Sequence, residues 1–133
     1  ELVASDGNIR IITKEFPILG EQSMLASQFA VATKIVAGDE AYKEISDALI
    51  ALRSDVTPAS LSSLADAFDL DSDAIFAEME SDAVGEVLAN NRALGDRMQI
   101  TGTPTFVFGD EMVRGYVPLA GMRQIVEAQR EDS

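Results

Sequence analysis

The sequence predicts an α/β fold in which a short strand is followed by four or five helices, a β-hairpin and a last helix. The runs Thr105–Phe108 and Glu111–Arg114 flank the turn residues Gly109 and Asp110, a pattern typical of a hairpin. The β-branched run Ile9–Thr13 predicts a strand, and its nearly continuous apolar residues suit a parallel strand covered on both faces. Between these segments, apolar residues recur with the spacing of amphipathic helices.

Start and stop signals divide the helical stretch. Apolar spacing predicts a first helix over Glu21–Val36, ended by Gly38, and Asp39 is a suitable cap for a second helix. Pro118 opens the last predicted helix. The other predicted helices follow the cap residues Thr57 (with Pro58 after it), Asp71 or Ser72 (a short helix through Met79) and Ser81 (the longest helix, Asp82–Met98).

Two further segments carry local predictions. The residues Glu1–Asn8 read as the tail of a helix that closes in a turn. Asn91 interrupts the apolar face of the longest predicted helix. Its amide could hydrogen-bond to loop backbone or lie at the edge of the buried face, and we predict the second.

Composition limits the classes of function. The sequence has 133 residues, enough for one domain with a core, and its net charge of −13 argues against nucleic acid and anionic membrane surfaces as partners. It has no cysteine and no histidine, which excludes disulfides, thiolate metal sites and the commonest general base. No apolar run is long enough to span a bilayer. We therefore predict no metal, no cofactor and no membrane span.

Two motifs in this order carry a resemblance. In Gly95–Gly109 a predicted helix ends, a Gly-Thr-Pro-Thr-Phe turn follows at 102–106, and the hairpin begins, while Lys14–Gly20 reads as a strand-to-helix junction. Together they resemble the DsbA-like branch of the thioredoxin superfamily. The resemblance covers essentially the whole sequence. It implies a thioredoxin-like fold, with 1–133 as a single partial DsbA-like domain and 39–80 as an inserted helical part.

The sequence departs from the family pattern at its beginning. The family's chemistry belongs to a Cys-x-x-Cys pair at the start of the first helix, and no cysteine is present here. There is also no strand-and-helix unit ahead of Ile9, a unit of about 25–40 residues. We therefore expect an N-terminally truncated domain without catalytic residues. On the family template, Ile9–Thr13 and Thr105–Phe108 run parallel in one sheet, with a gap where the absent strand belongs.

The resemblance also implies a substrate-binding turn at Thr103 and Pro104. In the family a cis-proline loop holds an extended substrate strand, because the residue before the proline presents unpaired backbone groups. Carried onto this sequence, the Thr103–Pro104 bond is expected to be cis, and these two residues form the substrate-side wall of the site.

The function that the resemblance implies is part of a DsbA-like thiol-disulfide oxidoreductase, inactive as given because the Cys-x-x-Cys pair is absent. Two alternatives stay open: a glutathione-dependent DsbA-like isomerase or transferase relative, and a non-catalytic binding domain of the same fold. The implied partners are polypeptide substrates and a redox partner protein, and the implied location is the bacterial periplasm or another exported site. An exposed sheet edge further predicts a homodimer.

Overall fold

The structure, a computed structural model, describes all 133 residues and contains six helices and one two-stranded sheet. The protein forms two compact units: a helical unit, Glu15–Gly95, and a hairpin unit made of Glu1–Lys14 and Asp96–Ser133. None of the helices combines the length and apolar character needed to cross a bilayer. In order along the sequence the elements are α1 (Leu2–Asp6), α2 (Glu21–Ala51), α3 (Pro58–Ala67), α4 (Ser72–Met79), α5 (Asp82–Arg97), β1 (Thr105–Phe108), β2 (Glu111–Arg114) and α6 (Leu119–Glu131).

The long helix α2 consists of two helical segments that meet at Gly38. This residue has φ 92° and ψ −175°, which is non-helical and lies in a region that residues with a Cβ rarely adopt. The break predicted at Gly38 is therefore confirmed, and the second segment follows it without an intervening loop. The predicted inserted part, 39–80, lies within the helical unit.

The core of the helical unit is built from apolar faces of α2, α3, α4 and α5. The ring of Phe29 in α2 lies 5.8 Å from that of Phe76 in α4, measured between centroids. Burying each side chain of this size contributes about 1.5–3 kcal/mol. The largest apolar side chains that are completely or almost completely buried are Phe29, Ile45, Leu61, Ile75 and Val84.

The caps predicted for α3 and α4 form as hydrogen bonds, whereas the predicted cap Asp39 makes none and its carboxylate instead lies 3.5 Å from Nζ of Lys34. Thr57 and Ser60 make a reciprocal capping box at the start of α3, with Pro58 in the first helical turn. Asp71, not Ser72, caps α4 by accepting a bond of 3.0 Å from the amide of Ala74. These local signals alone were sufficient to place both helix starts.

At α5 the cap is again the predicted residue. The hydroxyl of Ser81 accepts a bond of 3.3 Å from the amide of Val84. The helix ends at Arg97, one residue before the predicted end.

The hairpin is antiparallel, as predicted, with Thr105 opposite Arg114 and Phe108 opposite Glu111. Helix α6 packs against β1 and against α1, the short helix that ends in a left-handed turn at Gly7. No side chain of the hairpin unit is fully buried, since every buried residue belongs to the helical unit.

The prediction of a strand at Ile9–Thr13 is wrong. The segment has no secondary structure, and the sheet contains β1 and β2 alone, so the predicted parallel pairing with Thr105–Phe108 is also absent. A strand exists only through hydrogen bonds to a neighbour, and neither β1 nor β2 pairs with the segment. Ile11 and Ile12 are each 64% exposed.

Asn91 also departs from the prediction. We predicted that Asn91 lies at the edge of the buried face of this helix. Its side-chain amide instead donates a hydrogen bond of 3.0 Å to the backbone carbonyl of Glu15. The polar interruption in the helix face therefore fastens the segment before α2 to α5. Periodicity alone could not choose between these roles, because the partner lies 76 residues away in sequence.

Candidate substrate-binding turn

The two residues predicted to bind substrate lie in the turn that leads into β1. The Thr103–Pro104 peptide bond is cis, and both residues are exposed. Neither the backbone N–H nor the backbone carbonyl of Thr103 makes a hydrogen bond. An exposed donor and acceptor on one residue can pair with an extended polypeptide laid beside it.

Three hydrogen bonds hold the loop around this turn. Arg114 Nη1 donates to the carbonyl of Gln99 at 2.9 Å, and the Thr105 hydroxyl donates to the carbonyl of Gly102 at 2.8 Å. The amide of Gly115 donates to the carbonyl of Pro104 at 2.9 Å. None of these bonds uses the backbone groups of Thr103, so its carbonyl and amide stay available to a ligand.

A groove of about 590 Å³ lies along the turn and β1. One wall is the segment Ile9–Lys14, which has no secondary structure, and the other is Thr103–Phe108. Because β1 pairs only with β2, the second edge of β1 carries backbone groups without a strand partner. The groove therefore combines an apolar lining with an unpaired strand edge. Its remaining lining is largely apolar too: Leu2, Val3, Tyr116, Val117, Leu119 and Met122.

Reactive groups are missing from this site. The sequence has no cysteine and no histidine, and no group of His, Cys, Asp or Glu side chains is arranged to hold a metal ion. Lys14, at the rim of the groove, is exposed. The site offers exposed backbone groups and apolar surface, and it has no thiolate with which to exchange disulfides.

A polar cluster in the helical unit escaped the sequence analysis. The carboxylate of Glu15 accepts bonds from the Ser27 hydroxyl at 3.0 Å and from the Tyr42 hydroxyl at 2.7 Å. Burial and the bond to Glu15 raise the pKa of Tyr42 well above its usual range. No local sequence signal pairs Tyr42 with Glu15, because the two residues are 27 positions apart.

A second missed feature lies in the hairpin unit. Both terminal nitrogens of Arg130 donate to the carboxylate of Asp6, at 2.9 and 2.7 Å, and one of them also donates to the carbonyl of Asn8 at 3.0 Å. This pair ties α6 to the end of α1. The hydrogen bond from Arg130 lowers the pKa of Asp6 below its ordinary value.

The order of helices, proline turn, hairpin and last helix is the one expected from the resemblance to a thioredoxin-like fold. The profile of the DSBA-like thioredoxin domain matches residues 1–127. The protein belongs to this family. The family assignment and the fold expected from the two sequence motifs are thus confirmed.

Solved structures agree with the assignment. A thioredoxin-like oxidoreductase from Silicibacter pomeroyi DSS-3 is 29% identical, with a TM-score of 0.89 over 98% of this chain and 73% of the other. The thiol-disulfide exchange protein alpha-DsbA2 from Wolbachia pipientis is 25% identical, with a TM-score of 0.86 over 93% of this chain and 67% of the other. ScsC from Proteus mirabilis shares the fold at 22% identity, with a TM-score of 0.84 over 99% of this chain and 58% of the other. Among curated proteins, no match was found.

Proposed function

We propose that this protein supplies the substrate-binding part of a DsbA-like thiol-disulfide oxidoreductase, with Thr103 and Pro104 as the substrate-side wall. The single observation that carries the proposal is that Thr103, at the turn into β1, has both backbone groups exposed and unpaired. The groove along β1 supports it, because an extended polypeptide fits beside an unpaired strand edge. The proposed substrates are therefore unfolded or extended segments of other proteins.

The residues present determine which steps we propose for this protein. Backbone pairing at Thr103 orients the substrate strand, and the apolar lining accepts alternate side chains of that strand. Disulfide exchange requires a thiolate that attacks a sulfur atom, and this sequence has no cysteine to provide one. Any thiolate must come from residues outside this sequence. The protein alone should bind without catalysing exchange.

The test is an NMR titration of the ¹⁵N-labelled protein with an extended peptide whose cysteine is alkylated. We expect the largest shifts at Thr103 and Thr105. A matched peptide that is N-methylated at the alternate residues whose N–H groups face β1 loses the donors along that edge and should bind much more weakly. Equal binding of both peptides would contradict backbone pairing. An insulin-reduction assay should show no rate above dithiothreitol alone, and a rate like that of a cysteine-containing relative would contradict the account of the missing nucleophile.

The same titration tests the two alternative functions. Glutathione at the same concentration should not shift Thr103 if the substrate is a polypeptide. Shifts at Thr103 with glutathione and none with the peptide would favour the glutathione-dependent relative. Peptide binding by a full-length protein that also has no cysteine would favour a non-catalytic binding domain.

We also propose that two copies of this protein associate through the exposed sheet edge beside the groove when no polypeptide occupies it. Ile11 and Ile12 are 64% exposed and Val107 is 48% exposed, and an apolar surface beside a free strand edge favours pairing between identical molecules. Light scattering should give a dimer mass, and Ile12→Asp should convert it to a monomer. Ile50→Asp is the matched control, since Ile50 is 86% exposed but belongs to the helical unit. A monomeric wild-type protein at high concentration would refute this dimer.

The proposed location is the periplasm or another exported, oxidising compartment. Disulfide chemistry on substrate proteins is carried out in such compartments. Fractionation of cells that express the full-length protein, with cytoplasmic and periplasmic markers, would test the location. Recovery with the cytoplasmic marker would contradict it.

A further inference from the structure

The loop before the cis bond is held by a pair of side chains on the hairpin. Thr105 on β1 and Arg114 on β2 are direct cross-strand partners, so their side chains stand on the same face of the hairpin. Each donates a hydrogen bond to a backbone carbonyl of the loop, Thr105 to Gly102 at 2.8 Å and Arg114 to Gln99 at 2.9 Å. One cross-strand pair thus contacts the loop at two points, three residues apart.

These two bonds have no substitute in the structure. No backbone amide donates to the carbonyl of Gln99 or of Gly102. Packing contributes little to the order of the loop, because Ile100 is its only residue from 99 to 104 that is even half-buried. Gly102 adds backbone freedom just before the turn. Without the two side-chain donors, the loop would have few contacts to keep it in one conformation.

Gln99, whose carbonyl bonds to Arg114, has an unusual backbone conformation. It follows α5 with φ 56°, a left-handed conformation that is uncommon for a residue with a side chain. The guanidinium of Arg114 bonds to its carbonyl and so fixes the direction in which the backbone leaves the helix. Thr105 fixes the other end, next to the turn. The backbone groups of Thr103 follow directly after this second point.

We propose that Arg114 and Thr105 are positioning residues that hold the backbone groups of Thr103 in the orientation that an extended substrate needs. The role in binding rests on the proposed function. Its physical basis is preorganisation: a loop that is already ordered loses less conformational entropy when a peptide pairs with it. The pair touches the loop from the hairpin side and leaves Thr103 free for the ligand.

The experiment compares two deletions of a donor with one conservative exchange. Arg114→Met removes the guanidinium and keeps an apolar stem, and Thr105→Val removes the hydroxyl and keeps the β-branched shape. Thr105→Ser keeps the donor. Arg53→Met, in the helical unit, is the control for loss of one positive charge. Two readouts are needed: ¹⁵N relaxation of the amides of residues 101–103 without ligand, and the Kd for the alkylated peptide.

We expect Arg114→Met and Thr105→Val to increase the mobility of residues 101–103 and to raise the Kd about three- to tenfold, the range for loss of one net hydrogen bond. Thr105→Ser and Arg53→Met should leave both readouts unchanged, and thermal unfolding should be similar in all four variants because the core is elsewhere. Unchanged loop mobility in both donor deletions would overturn the inference. Increased mobility with an unchanged Kd would overturn its role in binding. If the wild-type protein binds no peptide, the proposed function fails, and loop mobility alone decides whether the pair positions the turn.

Discussion

Removal of the Glu15 carboxylate should destabilise the helical unit more than the loss of a typical polar side chain does. Glu15 is half-buried and accepts two bonds, from Ser27 and from Tyr42. Ser27 is 5% exposed, so its hydroxyl cannot turn to water when the carboxylate is gone. Tyr42 is only half-buried, and its hydroxyl can be partly hydrated.

The magnitude follows from these two environments. An unsatisfied buried hydroxyl costs about 1–3 kcal/mol, and loss of the half-exposed bond costs about 1 kcal/mol. Glu15→Ala should therefore lower the free energy of unfolding by about 2–4 kcal/mol. Glu15→Gln keeps one acceptor oxygen and loses the charge, so about 1–2 kcal/mol is expected. The bond from Asn91 goes to the backbone of Glu15 and survives both changes.

Urea unfolding followed by far-ultraviolet circular dichroism measures this effect, since the sequence has no tryptophan to report it by fluorescence. The midpoint should fall in the order wild type, Glu15→Gln, Glu15→Ala, with an unchanged slope. If Glu15→Ala lowers the free energy of unfolding by less than about 0.5 kcal/mol, the reasoning is refuted, because ordinary surface substitutions have effects of that size.

The same cluster predicts a dependence on alkaline pH. The folded state raises the pKa of Tyr42, first through burial and then through the bond to Glu15. A raised folded pKa contributes stability that is complete below the unfolded pKa, about 10, and that is lost as the pH rises above it. Tyr42→Phe should remove this part of the loss of stability at alkaline pH. Identical curves of unfolding free energy against pH for the wild type and Tyr42→Phe would contradict the assignment.

Two further predictions concern other parts of the protein. Arg130 lowers the pKa of Asp6 in the folded state. The contribution of this pair to stability is therefore present above the ordinary aspartate pKa, about 3.9, and is lost as the pH falls below it. The NMR shifts of the α1 amides should follow this titration in the wild type and not in Asp6→Asn. In α5, a Cβ on Gly95 would lie 2.7 Å from the ring of Phe16, whereas a Cβ on Gly85 meets nothing within 4 Å. Gly85→Ala should raise the free energy of unfolding by about 0.5–1 kcal/mol and Gly95→Ala should lower it by about 1–2 kcal/mol, and an equal gain for both would show that the ring moves away freely.

Elements with a local signal were predictable from the sequence. Gly38 breaks α2 where its positive φ is needed, and Thr57 and Asp71 cap the helices that they precede. The hairpin around Gly109 also forms with the predicted strands. Each of these depends on residues within a few positions of one another, so the sequence contains the whole interaction.

Features that depend on distant partners were not predictable. Ile9–Thr13 has the composition of a strand, but composition cannot provide the neighbouring strand that would accept its hydrogen bonds. Asn91 and Tyr42 both bond to Glu15, across 76 and 27 residues of sequence. For the site, the resemblance indicated Thr103 and Pro104. It did not indicate Arg114, whose bond to Gln99 closes a loop that only the folded hairpin brings together.

The two units differ in what stabilises them, and the difference bears on the proposed site. The helical unit has a buried apolar core of its own, whereas the hairpin unit has no fully buried side chain and contains exposed polar bonds such as those of Arg130 and Arg114. Exposed polar bonds are individually weak, and segments held by them open locally before a packed core does. The proposed binding turn benefits from such a setting, because backbone groups that pair with a substrate have to stay unpaired until it arrives. The physical role of the positioning pair Thr105 and Arg114 is then to order the loop without covering Thr103.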